Sequence, residues 1–208
     1  MVIDLIKLVR KYNIPSDHIV HAGAHIGQEL KLYDELNCKT CWLFEPQPQV
    51  FAKLVESAMV YKWPKLYNIA LGSREEKLNM FVSEGNDGQS SSFLEPHLHI
   101  TQYNYVKFGK VINEIPVVTL DSLLENNKDF KPTILSMDTQ GFELEILKGG
   151  TKALSTVNLI ITEFSTEQLY KGTALLKDLD NFLSFYGFSR IETVWQAKNW
   201  GDAAYLRK

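Results

Sequence analysis

Residues 18–30 read HIVHAGAHIGQEL, a short apolar run that leads through two glycines into a helix-like segment. Gly23 and Gly27 permit positive φ angles and a close approach to the backbone by something other than a side chain. A strand, a glycine turn and a helix start in this order are typical of a site where a nucleotide-like ligand lies over the helix N-terminus. The alternative is a tight turn that binds nothing.

The size and composition of the chain indicate one globular domain. Its 208 residues are 45% hydrophobic and 23% charged, enough to bury one substantial core, so we expect a single domain over residues 1–208. The net charge of −3 and the pI of about 6.0 provide no extended basic surface for nucleic acid phosphates. These values favour a small or neutral substrate and argue against a nucleic acid partner.

Cysteines and the N-terminal residues bear on location. Cys38 and Cys41 form C-x-x-C, but no second pair or His cluster completes a metal or redox site. We expect buried or incidental thiols in a reducing compartment, and the cytoplasm as location.

Residues 1–17 begin MVIDLIKLVRKY, which is neither a signal-peptide core nor a membrane span. We predict a helix that covers the domain core, with a membrane-surface helix as the alternative.

Short β-rich runs alternate with helical runs, which predicts a parallel sheet covered by helices. The predicted strands are HIVHAGA (18–24), KTCWLFEP (39–46), KLYNIAL (65–71), TILSMD (133–138) and VNLIITEF (157–164). The helical runs are GQELKLYDEL, PQVFAKLVESAMV, ELEILKGGTKAL and ALLKDLDNFLSFYG. An antiparallel hairpin at the sheet edge is predicted from two strand-like runs, residues 188–197 and 202–208, with KNWG as its turn.

One segment departs from this alternation. KLNMFVS (77–83) reads as an added strand, and the polar stretch EGNDGQSSSFLEPHLH (84–99) follows it with little periodicity. PVVTLDSLLE (116–125) then returns to strand and helix. Loops of such length in compact domains tend to be functional or disordered. We therefore predict that residues 84–115 form an active-site lid or a substrate segment.

Acidic residues at strand ends suggest a ligand. Ligands bind beyond the carboxyl ends of strands in open parallel sheets, where Glu45 follows the second strand and Asp138 follows TILSM. A glycine turn with an acid at the next strand end suits a ribose, because the carboxylate can accept hydrogen bonds from the ribose hydroxyls. The alternative for Glu45 is a solvated charge at a strand end. The turn lacks the G-x-G-x-x-G spacing of dinucleotide sites, which favours S-adenosylmethionine.

Eight blocks resemble, in order, those of the FkbM-type S-adenosylmethionine-dependent methyltransferases: IVHAGAHIGQEL, CWLFEPQPQVFAKL, LYNIALGS, GQSSSFL, VVTLDSLL, ILSMDTQGFELEILKGG, LIITEFSTEQLY and WGDAAYLRK. The most specific is DTQGFE (138–143), similar to the family's D-x-[EQ]-G-x-E. The resemblance implies a Rossmann-like class I methyltransferase fold, with a seven-stranded, mostly parallel sheet, one antiparallel strand and helices on both faces. It also implies methyl transfer to a hydroxyl oxygen.

The resemblance also suggests the cofactor site. The predicted cofactor-binding residues are His21, Gly23, Ala24, His25, Gly27, Glu45, Pro46, Ala70, Asp138 and Gln140. His21 stands where many members have Asp, so Asp138 or backbone carbonyls near Gly23 would have to receive the cofactor's ammonium group. His25 stands where Asn is frequent; it either touches the cofactor or caps the helix.

Candidate catalytic groups are acidic. A hydroxyl acceptor benefits from a general base, and Asp138, Glu163 and Glu143 are the candidates. Each has a structural alternative, respectively a helix N-cap, a strand-end anchor and a favourable charge at a helix N-terminus. The polar segment offers Ser91, Ser92 and His97 as substrate residues; His97 or the neighbouring His99 could supply a base if the segment is a lid.

The sequence thus predicts an S-adenosylmethionine-dependent O-methyltransferase. A sugar or glycan hydroxyl is the leading acceptor, ahead of other small hydroxylated metabolites, partly because the resemblance implies it. No set of metal ligands stands out, so we predict no metal. A non-catalytic cofactor-binding or interaction module with the same fold is the alternative, and a nicotinamide-dependent oxidoreductase ranks third.

Overall fold

The computed structural model describes residues 2–208. These residues form the strands β1 His18–Ala22, β2 Thr40–Phe44, β3 Pro64–Tyr67, β4 Ala70–Leu71, β5 Glu76–Glu84, β6 Lys107–Val118, β7 Ile134–Met137, β8 Leu159–Ser165, β9 Phe188–Trp195 and β10 Trp200–Arg207. The helices are α1 Leu5–Tyr12, α2 Leu30–Glu35, α3 Pro48–Ala58, α4 Leu98–Gln102, α5 Leu120–Glu125, α6 Glu143–Lys148 and α7 Leu176–Phe185, with a 3-10 turn at Ala153–Ser155.

The larger sheet has seven strands in the order β3-β2-β1-β7-β8-β10-β9. The pairs from β3 to β8 are parallel, whereas β10 runs antiparallel to both β8 and β9. The predicted seven-stranded, mostly parallel sheet with a C-terminal antiparallel hairpin is confirmed. The predicted turn KNWG differs from the structure, because its last two residues, Trp200 and Gly201, already belong to β10 and pair with Ser165 and Phe164.

A second, three-stranded sheet has the order β4-β6-β5. KLYNIAL is therefore not one strand, since β3 ends at Tyr67 and Ala70 begins a strand of the other sheet. The Asn68 amide lies between them and donates to the carbonyls of Glu45 (2.8 Å) and Pro46 (3.3 Å), which ties the chain to the end of β2. β6 begins at Lys107, so residues 107–115 of the predicted lid segment belong to a strand antiparallel to β5.

Two apolar layers cover the larger sheet. Val20 and Trp42 face one layer, which α5, α6 and α7 complete, whereas Ile19 and Leu43 face the other, with α1, α2 and α3. Successive residues of a strand point to opposite faces, so the short apolar runs of the buried strands serve both layers. Cys38 and Cys41 are free thiols buried in the second layer.

Helix α1 packs on the same layer through Leu5, Leu8 and Val9. Asp4 caps its N-terminus by accepting from the Lys7 amide at 2.9 Å. None of the helices within residues 2–208 has the length and apolar character needed to span a membrane.

Candidate functional site

A cavity of about 640 Å³ lies at the carboxyl ends of the central strands. The glycine turn after β1, the end of β2, the turn after β7 and strand β8 form its floor. Residues from the segment between β5 and β6 form much of the opposite side. This is the position where open parallel sheets bind ligands.

The glycine turn is shaped first by the protein's own backbone. Gly23 has φ +78°, and a Cβ there would lie 1.9 Å from the carbonyl oxygen of Asp138. Gly27 has φ +86°, and a Cβ there would meet the side chains of Leu30 (2.6 Å) and Leu54 (3.0 Å). Contacts within the protein itself therefore explain why both positions require glycine. Gly23 lines the cavity, whereas Gly27 and the buried Ala24 do not, and contact of these two residues with the cofactor stays a prediction.

Glu45 lies at the end of β2, is 3% exposed and lines the cavity. Its two carboxylate oxygens accept hydrogen bonds from the backbone N–H groups of His25, at 3.0 Å, and Gln47, at 2.8 Å. Burial raises the pKa of Glu45, and the hydrogen bond from the Gln47 amide opposes that rise. The carboxylate is thus held in one orientation at the cavity wall, where it retains lone pairs for a ligand hydroxyl.

His21 occupies the last part of β1 and lines the cavity, although its side chain is 2% exposed. Its Nδ1 lies 3.1 Å from the Tyr33 hydroxyl. Burial lowers the pKa of His21, and the charges of Glu29 and Asp138 oppose this. The imidazole is therefore neutral near pH 7. Glu29 also lines the cavity, so two carboxyl groups lie near the position where the resemblance implies one.

Asp138 and Glu163 are joined by one amide. The Gln140 side-chain nitrogen donates to Asp138 Oδ1 at 3.1 Å and to Glu163 Oε2 at 2.9 Å. The Tyr170 hydroxyl lies 3.0 Å from the amide oxygen of Gln140 and 2.8 Å from the Ser90 carbonyl. This contact orients the amide with its nitrogen toward the two acids. Burial and the charge of Asp138 raise the pKa of Glu163 well above the ordinary value.

Glu143 does not belong to this group. It is 4% exposed and does not line the cavity. Its Oε1 accepts from the Thr139 amide (2.9 Å), the Thr139 hydroxyl (3.0 Å) and the Gly141 amide (3.3 Å). Its carboxylate thus holds the turn that carries Gln140, and its role as a catalytic base stays a prediction.

Residues 87–92 are held by hydrogen bonds to His25 of the glycine turn and to Gln47, which precedes α3. His25 Nε2 donates to the Asp87 carbonyl at 2.8 Å. The Gln47 side chain donates to the Gly88 carbonyl at 3.2 Å and accepts from the Ser91 hydroxyl at 3.0 Å. These bonds connect the segment to the elements that carry Gly23 and Glu45.

The predicted substrate residues separate into two groups. Ser91 lines the cavity, as does the neighbouring His99. Ser92 is fully buried and donates to the Gln140 carbonyl at 2.7 Å, so it supports the β7 turn. His97 does not line the cavity, and its backbone amide donates to the Leu169 carbonyl at 2.8 Å. The structure thus places Ser92 and His97 outside the cavity lining, and their contact with a substrate stays a prediction.

Of the remaining predicted residues, His25, Pro46, Ala70 and Gln140 line the cavity. Several lining residues had no place in the sequence prediction: Glu29, Gln47, Tyr103, Tyr105, Gln196 and Trp200. Gln47 could have been found, because it follows Glu45 in the second matching block. Glu29 and Trp200 also lie in matching blocks, whereas Tyr103, Tyr105 and Gln196 lie in segments without a recognisable spacing. In the described part of the chain, no three His, Cys, Asp or Glu residues are grouped to hold a metal ion.

The residues of this cavity suit S-adenosylmethionine. Glu45 offers an acceptor for ribose hydroxyls, and Glu29 and Asp138 offer carboxylates for an ammonium group. Ala70, Leu71 and Phe44 add apolar surface for a flat base. The volume lies within the usual range of small-molecule sites.

Comparison with known proteins gives two curated relatives. The 2-O-methyltransferase NoeI of Sinorhizobium fredii is 26% identical over 176 residues, which cover 81% of this chain and 72% of NoeI. The hexuronic acid methyltransferase AglP of Haloferax volcanii is 26% identical over 166 residues, which cover 77% of this chain and 61% of AglP. The chain thus spans less than two thirds of the second relative.

Solved structures share the fold. Magnesium protoporphyrin IX methyltransferase from Synechocystis PCC 6803, with bound S-adenosylmethionine, superposes with a TM-score of 0.55 and 12% identity over 98% of this chain and 76% of that one. An S-adenosylmethionine-dependent methyltransferase from Aquifex aeolicus superposes with a TM-score of 0.50 and 13% sequence identity. The match covers 99% of this chain and 90% of that one.

The methyltransferase FkbM domain matches residues 21–190. This range contains the glycine turn, Glu45, Asp138 and Glu163, and it covers most of the 208 residues. The chain therefore belongs to the FkbM methyltransferase domain family, and it is an S-adenosylmethionine-dependent methyltransferase.

Proposed function

We propose that this methyltransferase modifies a hydroxyl group of a sugar or glycan. The observation that carries the proposal is the Asp138–Gln140–Glu163 group, two carboxyl groups held by one amide inside the cavity. Such a group can hold a hydroxyl and accept its proton. The names of the two curated relatives, a 2-O-methyltransferase and a hexuronic acid methyltransferase, support a sugar over other small hydroxylated metabolites.

The cofactor lies, in this proposal, at the β1–β2 side of the cavity. Glu45 accepts from the ribose hydroxyls, while Gly23, His25, Pro46 and Ala70 form the adjoining wall. Many family members have Asp at the position of His21. Here Glu29, with Asp138 nearby, receives the cofactor's ammonium group instead. This assignment leaves Asp138 available to the acceptor.

When bound, S-adenosylmethionine supplies the sulfonium methyl group that the acceptor oxygen attacks. Asp138 orients the acceptor hydroxyl and takes its proton, since a proton must leave the oxygen as the new C–O bond forms. Gln140 fixes Asp138 relative to Glu163, which keeps the base in place for an in-line displacement. Burial and then the charge of Asp138 raise the pKa of Glu163.

Residues 84–106 cover the cavity in this proposal and exclude water during transfer. Their hydrogen bonds to His25 and Gln47 support such a role. For the location we propose the cytoplasm, with which the free thiols of Cys38 and Cys41 agree.

A methyl-transfer screen tests the proposal. The purified chain is incubated with methyl-labelled S-adenosylmethionine and a panel of glycans and small hydroxylated metabolites, and calorimetry measures binding of S-adenosylmethionine, S-adenosylhomocysteine and NAD. We expect cofactor binding and transfer to a sugar hydroxyl. Transfer to other metabolites alone would overturn the sugar assignment. Cofactor binding without transfer to any acceptor would favour a non-catalytic module.

A further inference from the structure

The cavity has two sides that differ in their residues. Glu45 and the glycine turn belong to β2 and β1, whereas Trp200 begins β10 and pairs with Ser165 of β8. The sheet order places β7 and β8 between these sides. The Asp138–Glu163 group therefore separates a cofactor side from a second side next to β8 and β10, which the acceptor has to occupy.

Aromatic rings form the second side. Tyr103, Tyr105 and Trp200 line the cavity there. The Tyr103 hydroxyl donates to Asn199 Oδ1 at 2.8 Å, which ties this tyrosine to the residue before Trp200. Tyr105 is 69% exposed and meets Tyr103 edge to face, with 6.5 Å between ring centroids. A flat aromatic face at a cavity entrance provides a packing surface for the C–H face of a sugar ring.

Two acidic side chains, Asp138 and Glu163, line the cavity where the cofactor side meets the acceptor side. Among the described residues of the lining, none is Lys or Arg, the side chains that ordinarily bind a ligand carboxylate. One amide nitrogen bridges the carboxyl groups of Asp138 and Glu163, so two acids already share this part of the cavity and a further carboxylate beside them would be repelled.

We propose that the acceptor is an uncharged sugar unit whose ring packs on Tyr105 at the β8–β10 side of the cavity, and that the acidic lining discriminates against hexuronic acids. This inference rests on the proposed sugar O-methylation. It separates the chain from AglP, whose name states a hexuronic acid substrate. Specificity arises here from repulsion of the wrong acceptor as well as from packing of the right one.

Matched acceptors test the discrimination. Methyl glycosides of glucose, galactose and mannose are each compared with the corresponding hexuronoside, which differs only in a carboxylate at C6. With saturating S-adenosylmethionine, we expect kcat/KM for at least one neutral glycoside to exceed that of its hexuronoside about tenfold or more. Equal or preferred transfer to hexuronosides would overturn this inference and leave sugar O-methylation intact. Cofactor binding with no transfer to any of the six glycosides would overturn both.

Variants test the packing surface. Tyr105→Ala should raise KM for the neutral glycoside about fivefold or more, while Tyr105→Phe, which keeps the ring, should stay within about twofold of the parent. The cofactor affinity should be the same in both variants. Phe185→Ala removes an aromatic residue that is 84% exposed on α7 and lies outside the cavity, and it should change neither value. An unchanged KM in Tyr105→Ala would refute the role of Tyr105.

Discussion

The backbone of Asp138 lies against Gly23 so closely that a Cβ on the glycine would sit 1.9 Å from the Asp138 carbonyl oxygen. The Asp138 amide also donates to the carbonyl of Ala22 at 3.0 Å. The turn after β1 and the turn after β7 are therefore one packed unit. The cofactor side and the proposed base are positioned relative to each other by backbone contact.

Gly23→Ala tests this contact. Gly172 is a matched control, because its φ of +75° is close to the +78° of Gly23 and a Cβ there would meet nothing within 4 Å. Gly172→Ala should lower the free energy of unfolding by about 1–2 kcal/mol, because alanine is strained in the left-handed conformation. Gly23→Ala should cost about 1–3 kcal/mol more, because the strand ends must move apart. Chemical denaturation measures both values, and equal losses would contradict the close contact.

The buried strands were predictable from sequence, because β1, β2, β7 and β8 are short apolar runs bounded by turn residues. Only the end of strand β6, in the run PVV, was predicted, since its first eight residues are largely exposed and show neither period. The break after Tyr67 was also missed. It depends on the Asn68 amide reaching the carbonyls of Glu45 and Pro46, which no local pattern announces.

The site was predictable where a residue follows a strand directly. Asp138 and Glu45 follow β7 and β2, and both line the cavity. Glu143 lies one turn farther, where the direction of its side chain depends on the hydrogen bonds of Thr139. Tyr105 precedes β6 in a segment without periodicity. Its position follows from tertiary packing that a single sequence does not display.

Glu45→Ala should weaken binding of S-adenosylmethionine by about 1–3 kcal/mol, because ribose hydroxyls would lose a buried acceptor. Isothermal calorimetry measures the affinity. Thermal unfolding accompanies it, since the variant also loses bonds to the amides of His25 and Gln47. Glu45→Gln keeps one acceptor oxygen and should show a smaller loss. Glu35→Ala, at an exposed glutamate of α2, is the control. Parent-like affinity in Glu45→Ala would refute the ribose assignment.

Gln47→Ala should loosen residues 84–92 over the cavity. The variant loses the bond to the Gly88 carbonyl and the bond from the Ser91 hydroxyl. Hydrogen exchange of amides 84–92 should therefore be faster than in the parent, and bound S-adenosylmethionine should slow it in both. Gln49→Ala, at an exposed position of α3, is the control. Identical, strong protection with and without cofactor would reduce the segment to a static wall.

Glu163→Gln should change how stability depends on pH. Burial and then Asp138 raise the pKa of Glu163 in the folded protein, so the folded state binds a proton more tightly than the unfolded state does. The contribution of Glu163 to stability is therefore greatest below the ordinary glutamate pKa and falls as pH rises toward the raised pKa, by up to about 1.4 kcal/mol per pH unit.

Urea unfolding from pH 4 to 8 measures this dependence. The decline should be shallower in Glu163→Gln than in the parent, because glutamine does not ionise. Glu35→Gln, which removes one exposed carboxylate, should retain the parent's slope. A parent-like decline in Glu163→Gln would show that other acids cause it.

Asp138→Asn separates the two roles open to this residue. If Asp138 takes the acceptor proton, turnover at saturating cofactor should fall by about 10²-fold or more, because the interaction matters chiefly in the transition state. If it mainly holds the cofactor's ammonium group, affinity for S-adenosylmethionine should fall instead, with turnover preserved at saturation. Since Glu29 also lines the cavity near His21, we expect a small loss of affinity and a large loss of turnover.

Steady-state kinetics on an established acceptor and calorimetry with S-adenosylmethionine provide the two values. Asparagine can keep one acceptor oxygen toward the Gln140 amide, so the fold should survive, and a thermal unfolding curve checks this. Asp129→Asn, an exposed aspartate after α5, controls for the lost charge. Unchanged affinity together with unchanged turnover in Asp138→Asn would leave the aspartate with a structural role only, and the acceptor's base would then have to be sought elsewhere in the cavity.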